Sequence, residues 1–277
     1  YRNIITIKLK RLIFIKKLKT ILKNLFEKNM YVIGDIGNTE TKICLFNSKK
    51  KLLKKRILNT LNIKKFNLNK NLKFINPYNK KIKKIIFSSV VPKAFKDIKI
   101  SIKRRFGLEV QELKQYNLKR ILKIDVNKKQ VGSDRLANAI SVINNKDNFI
   151  ILDFGTATTF DVIKNGRYEG GVIAPGVKLS IKNLSQATAL LPLIHLSSNQ
   201  KKIGKNTKEA LNAGFIWGYE GLLNNIIDKI ILKNKKKFKI ILTGGYANFF
   251  KKMIKKNVTV DQDITIKGIA NVYKELI

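Results

Sequence analysis

The chain has 277 residues, with 58 Lys or Arg against 18 Asp or Glu and a formal net charge of +40. No apolar run approaches the ~20 residues that a membrane-spanning helix needs, so no membrane partner is expected. The single cysteine, Cys44, excludes an internal disulfide framework, and a cytoplasmic location fits.

So basic a chain ordinarily points to nucleic acid. Here the cations are almost all Lys, spread from end to end among Ile and Asn. Nucleic-acid surfaces favour Arg, aromatics and clustering instead. Lys, Ile and Asn share A/T-rich codons, and composition drift accounts for the charge more simply. No specific nucleic-acid partner is expected.

Residues 1–29 carry nine Lys or Arg and one Glu, alternating with Ile and Leu. They could form a basic amphipathic helix at a membrane surface or on RNA. Met30 stands directly before the first strand, and the simpler reading is that 1–29 form a basic N-terminal extension outside the functional fold. Tyr31 to Phe46 reads as a strand, a tight turn and a returning strand, with Asp35-Ile36-Gly37 at the turn. Cys44 falls in the returning strand as a small buried hydrophobe. A Lys/Asn-rich stretch from Lys49 to Lys84 holds a strand and a helix with a mobile connection. Ile85 to Pro92 is a buried strand, Pro92 opens a helix over Lys93–Phe106, and Gly107 stops it. Another short strand lies between Val110 and Lys123.

The apolar spacing from Leu136 through Ile140 to Ile143 is helical, with Gly132-Ser133-Asp134-Arg135 at its head. An Asp there either caps the helix or does chemistry, and the residues alone leave both open. Its neighbour Arg135 adds a fork that fits carboxylates or phosphates.

Ile150 to Ile163 repeats the first hairpin, with Asp153-Phe154-Gly155 at its turn and Thr156, Thr158 and Thr159 beyond. Gly155 lets backbone approach a ligand, and turn N–H groups beside hydroxyls suit phosphate oxygens. Asp153 could hold a charge-neutralising cation. Two Asp-x-Gly hairpins at domain-length separation suggest a duplicated fold closing on one nucleotide.

Gly170 to Gly176 reads as a tight glycine-rich loop before a helix from Val177 to Ala187. His195, alone beside apolar residues, reads as structural. A long helix starts near Asn206 and runs to about Leu232, with Trp217 as a core or dimer contact. Lys239 to Leu242 is a strand feeding Thr243-Gly244-Gly245 and a helix near Ala247–Ile254, where a nucleotide can lie against backbone. A strand at Val258 and Val260 and a helix from Ile266 close the chain.

Several spaced blocks carry a family resemblance over Met30–Ile277: Asp35–Lys42, Ser88–Pro92, Val131–Arg135, Asp153–Asp161, Gly170–Gly176, Thr188–Pro192, Ile203–Thr207 and Thr243–Gly245. In that order they resemble the type III pantothenate kinases, a dimeric branch of the superfamily of acetate and sugar kinases, actin and chaperone ATPases. The resemblance implies an α/β fold of two ribonuclease-H-like domains, residues 30–147 and 148–277. It implies ATP-dependent phosphorylation of pantothenate to 4′-phosphopantothenate, the first step of coenzyme A biosynthesis. The alternative is a nucleic-acid-binding or regulatory relative that retains the kinase fold.

Residue roles follow by the same resemblance. Asp35, Ile36, Gly37, Asn38, Thr39, Glu40, Thr41 and Lys42 form the first phosphate loop, with Asp35 near Mg2+. Asp134 is the general base, Gly132, Ser133 and Arg135 hold pantothenate, and Arg135 pairs with its carboxylate. Asp153 binds a monovalent cation, K+ or NH4+, and Thr156 contacts ATP. Gly244 and Gly245 pack near adenosine, and Thr188 reaches pantothenate across a homodimer interface. One departure is Asp125, where the family usually has a substrate-contacting Tyr; a carboxylate there should repel an anionic substrate. The Pro usual three positions later is Lys128.

Overall fold

The computed structural model describes residues 29–49, 51–63, 68–144, 146–198 and 202–276. The basic extension expected over 1–29 therefore lies, save for its last residue, outside the described residues.

The chain divides into two compact units, one ending at Gln115 and the other beginning at Tyr116. The first is built on β1 (Met30–Ile36), β2 (Glu40–Asn47), β3 (Leu52–Asn59), β4 (Ile82–Ser89) and β5 (Val110–Glu112), in the sheet order β3-β2-β1-β4-β5. β2 runs antiparallel to β1 and β3, whereas β4 runs parallel to β1 and β5. Parallel pairing needs a long crossover. Between β4 and β5 it is helix α1 (Pro92–Phe106), with Pro92 in its first turn and Gly107 at its C-terminal cap, as the sequence predicts. Val32, Ile43, Leu45, Ile85, Phe87, Ile98 and Ile102 fill this unit's core, and Cys44 is buried.

The second unit repeats the plan. Its sheet order is β11-β10-β7-β8-β9-β6, from β6 (Lys123–Ile124), β7 (Phe149–Phe154), β8 (Ala157–Lys164), β9 (Arg167–Pro175), β10 (Lys239–Gly244) and β11 (Val258–Val260). β7, β8 and β9 form an antiparallel meander, and β10 joins β7 in parallel. Each unit thus has the ribonuclease-H-like strand order, with β6 as an extra edge strand in the second. Helices α2 (Ser133–Val142), α3 (Val177–Gln186), α4 (Thr207–Asn234), α5 (Ala247–Phe250) and α6 (Ile264–Leu276) complete it.

α4 starts where the sequence places it. The Asn206 side chain accepts from the Glu209 N–H at 3.0 Å, and the Glu209 carboxylate accepts from the Lys205 N–H at 2.9 Å. Orphan helix N–H groups are thereby paired. Ile150, Leu152, Phe160, Leu223, Ile227 and Leu242 form the core against that helix, with Phe154 stacked on Phe250 at 5.6 Å.

Residues 116–147 group with the second compact unit, across the 147/148 division that the resemblance implies. Contacts distant in sequence bring them there: Thr265 on α6 donates to Asn138 on α2 at 2.7 Å. In addition, Gly170–Gly176 lies mostly within β9 and is no loop. A bulge precedes it: Val162 pairs with Gly170 but Ile163 pairs with Tyr168, leaving Glu169 as the extra residue.

Candidate active site

In the first unit the β1–β2 turn carries Asp35–Lys42, the stretch expected as the first phosphate loop. Asp35 is the penultimate residue of β1, opposite Lys42 on β2 and Ser88 on β4. The Gly37 N–H donates to the Glu40 carbonyl at 2.9 Å, closing a turn whose Asn38, Thr39 and Glu40 are exposed. Ile36 and Thr41 point inward. Thr41 is fully buried, with its hydroxyl 2.8 Å from that of Thr60. The side chains of these two residues are therefore turned away from the surface of the turn.

The second unit's turn has Gly155 and Thr156 exposed, and the Gly155 N–H donates to the Ala157 carbonyl at 3.0 Å. Thr158 is fully buried, so its hydroxyl is not part of the exposed turn. Asp153 lies at the end of β7. Its Oδ2 accepts from the Asn138 amide at 3.3 Å, and Asn138 is itself held by Thr265. This chain fixes the carboxylate, and the sequence carries no local sign of Asn138's part, because its contact with Thr265 spans 127 positions.

Gly244, at the end of β10, stands beside Asp153. It has φ +83, and a Cβ there would come within 2.6 Å of the Phe154 carbonyl oxygen and 2.7 Å of Asp153 Oδ1. The missing side chain thus lets the end of β10 pack close against the carboxylate. The neighbouring Gly245 N–H donates to the Phe154 carbonyl at 3.1 Å. Gly244→Ala should lower stability by about 1–3 kcal/mol from backbone strain alone. It should also raise the KM for ATP, and denaturant unfolding with steady-state kinetics measures both.

At the head of α2, Asp134 accepts from the Arg135 N–H at 2.8 Å. An acid in this first turn also complements the helix dipole. Arg135 reaches across to β8: its Nε and Nη2 both lie 2.7 Å from Asp161 Oδ1. Tyr168 donates its hydroxyl to the same oxygen at 2.6 Å. Asp161 is fully buried, and burial pushes its carboxyl up to about 6 although Arg135 and Tyr168 pull it down; the charge on Asp134 adds to the rise. Burial likewise pushes the Tyr168 hydroxyl well above its ordinary value. Gly171 makes room for this network, because a Cβ there would meet Phe160 O at 2.1 Å and Arg135 Nη2 at 2.7 Å. The signal for Asp161 was present in the sequence: an acid inside an apolar strand needs a partner.

Asp125 is not an unneutralised carboxylate. Arg167 holds it with Nε to Oδ2 at 2.7 Å and Nη2 to Oδ1, and this partner keeps the Asp125 carboxyl below the usual carboxylate range. The expected repulsion is countered by that bidentate pair. Thr188 follows α3 on the surface and donates to the Leu184 carbonyl at 2.8 Å. His195 is exposed, and Trp217 is 44% exposed, which removes the core reading of that tryptophan.

Among the described residues no group of three or more His, Cys, Asp or Glu could form a metal cage. Mg2+ is commonly held by one or two carboxylates together with substrate phosphates and water. Among the described residues, no helix is long and apolar enough to cross a membrane.

The sequence profile of the family described as type III pantothenate kinase matches residues 31–229. The type III pantothenate kinase of Pelagibacter ubique is 56% identical over 240 residues, covering 87% of this chain and 97% of that protein. That of Sulfurihydrogenibium sp. is 36% identical over 248 residues, covering 87% and 98%. Among solved structures, a Baf-family transcriptional activator from Campylobacter jejuni superposes with a TM-score of 0.58 at 22% identity, covering 88% of this chain and 98% of that one. A 2-dehydro-3-deoxygalactonokinase from Sinorhizobium meliloti gives 0.55 at 11% identity, over 88% and 98%. At these identities the structural likeness speaks for the fold alone, the two-domain fold of the sugar kinases and actin. By sequence, the chain belongs to the type III pantothenate kinase family.

Proposed function

We propose that the protein transfers the γ-phosphoryl group of ATP to the hydroxyl of pantothenate, making 4′-phosphopantothenate, the first step of coenzyme A biosynthesis. The observation that carries this reading is the Asp134–Arg135 pair at the head of α2. It unites a carboxylate able to take a hydroxyl proton with a guanidinium able to take a carboxylate.

In this reading Gly132 and Ser133 hold the substrate with the first-turn N–H groups of α2. Arg135 pairs with the pantothenate carboxylate. Asp134 accepts the proton from the attacking hydroxyl, which sharpens the oxygen as a nucleophile. Phosphoryl transfer then asks the protein mainly for positioning and charge stabilisation. The backbone of Asp35–Lys42 takes ATP phosphates, Lys42 adds a cation, and Thr156, Gly244 and Gly245 contact the nucleotide. Asp35 holds Mg2+, which when bound neutralises phosphate charge. Asp153 holds K+ or NH4+. Thr188 completes the pantothenate site of a second copy in a homodimer. Exposed Leu184, Leu190, Leu193 and Trp217 around that loop and on α4 support such a contact. The enzyme works in the cytoplasm.

A coupled ADP-release assay tests the reading. With pantothenate, ATP, Mg2+ and K+ together, turnover is expected. Omitting any one should reduce it to background, and turnover that ignores pantothenate would contradict the reading. The nucleic-acid alternative has the +40 charge behind it. Tight, sequence-selective binding that survives about 150 mM salt would favour it, because diffuse charge attraction collapses there.

A further inference from the structure

Arg135 cannot be a swinging surface arginine. Its side chain is only 15% exposed, and its Nε and Nη2 converge on one carboxylate oxygen of Asp161. Tyr168 donates to the same oxygen, and the Gly171 backbone closes over the guanidinium. Nε and Nη2 form one edge of the guanidinium fork, and Nη1 lies on the other. We infer that Asp161, steadied by Tyr168, is the positioning residue that clamps Arg135 so that the Nη1 edge is left for the carboxylate of the acceptor substrate. This rests on the pantothenate-kinase reading and extends it to two residues on β8 and β9 that touch no reacting atom.

The energetic logic is preorganisation. A free arginine loses much rotamer freedom when it grips a ligand. Arg135 has already lost it to Asp161 during folding, so substrate binding need not order it again. The Tyr168 hydroxyl occupies part of the shared Asp161 oxygen and limits rotation of the carboxylate. Burial of Asp161 excludes water that would loosen the grip. The bulge at Glu169 and Gly170 accompanies this arrangement: it sits between Tyr168 and Gly171 on β9 and lets both serve the same guanidinium.

Asp161→Asn keeps the shape and removes the charge. We expect the KM for pantothenate to rise about 10- to 100-fold, the range associated with small misplacement of a binding group. The kcat should move less than about 3-fold. The KM for ATP should stay within about 2-fold. Tyr168→Phe should shift the pantothenate KM in the same direction by a smaller factor. In an Arg135→Gln background, adding Asp161→Asn should cost less than about 2-fold, because the clamp has nothing left to hold. A merely architectural Asp161 would carry its cost into both backgrounds.

The pH profile is a second readout. The groups facing Asp161 are Arg135 and Asp134 from α2 and Tyr168 from β9. With its carboxyl pushed up to about 6, Asp161 gains a proton as pH falls through that value and weakens its hold on Arg135. The wild-type KM for pantothenate should therefore climb below about pH 6, and Asp161→Asn should lack that limb. An unchanged pantothenate KM in Asp161→Asn overturns the inference, as does a uniform loss of kcat, ATP affinity and melting temperature in both backgrounds. If Asp161→Asn does not fold, Tyr168→Phe decides, and an unchanged pantothenate KM there overturns it. A wild-type protein that does not phosphorylate pantothenate overturns the functional reading first and this inference with it. Wild-type turnover with an insensitive Asp161 overturns the inference alone.

Discussion

Asp134→Asn is expected to lower kcat for pantothenate phosphorylation by about 10²- to 10⁴-fold, the usual span for removing a general base. The substitution is nearly isosteric, and its amide oxygen can still accept the Arg135 N–H that Asp134 now accepts at 2.8 Å. The first turn of α2 should survive with only the loss of a favourable charge at the helix N-terminus, about 0.3–1 kcal/mol. ATP binding should persist, because Asp134 is assigned to the acceptor. Calorimetric titration with ATP beside the kinetic assay separates the two effects. Unchanged turnover would remove Asp134 from the role of base and return it to the capping role that the sequence also allowed.

Asp153→Ala has the second large expected effect. The carboxylate lies one residue before the end of β7, accepts from Asn138, and stands against the Gly244 backbone. Its removal should take away the one formal charge assigned to the monovalent cation. The potassium concentration for half-maximal activity should rise by at least about 10-fold, the scale on which metal-site substitutions act. Asn138→Ala should produce a smaller shift in the same direction, since it removes the orienting amide and leaves the charge. The measurement is a potassium titration of initial rate at fixed Mg2+. An identical potassium response in wild type and Asp153→Ala would mean that the cation binds elsewhere.

Much of the fold was legible because the deciding signals are local. Pro92 and Gly107 bracket α1, Asn206 marks the start of α4, and the two Asp-x-Gly turns sit between apolar runs that pair as hairpins. The Asp134–Arg135 pair was visible for the same reason. What escaped was set by long-range pairing. The glycines of β9 carry a loop signature, yet pairing along β8 draws them into a bulged strand that wraps Arg135. Residues 116–147 look like the tail of the first half until Asn138 meets Thr265. The cost of Asp125 looked serious because Arg167, 42 positions away, is invisible as its partner in the linear chain. Thr158 and Thr41 were hydroxyls in the right motifs, but strand alternation turns both inward.

The most direct test of the central claim is to identify the phosphorylated product. Purified protein is incubated with pantothenate, ATP, Mg2+ and K+, and the mixture is followed by phosphorus NMR and mass spectrometry. The account predicts 4′-phosphopantothenate accumulating mole for mole with ADP. ADP appearing beside unchanged pantothenate, or phosphate carried to another acceptor, would contradict it.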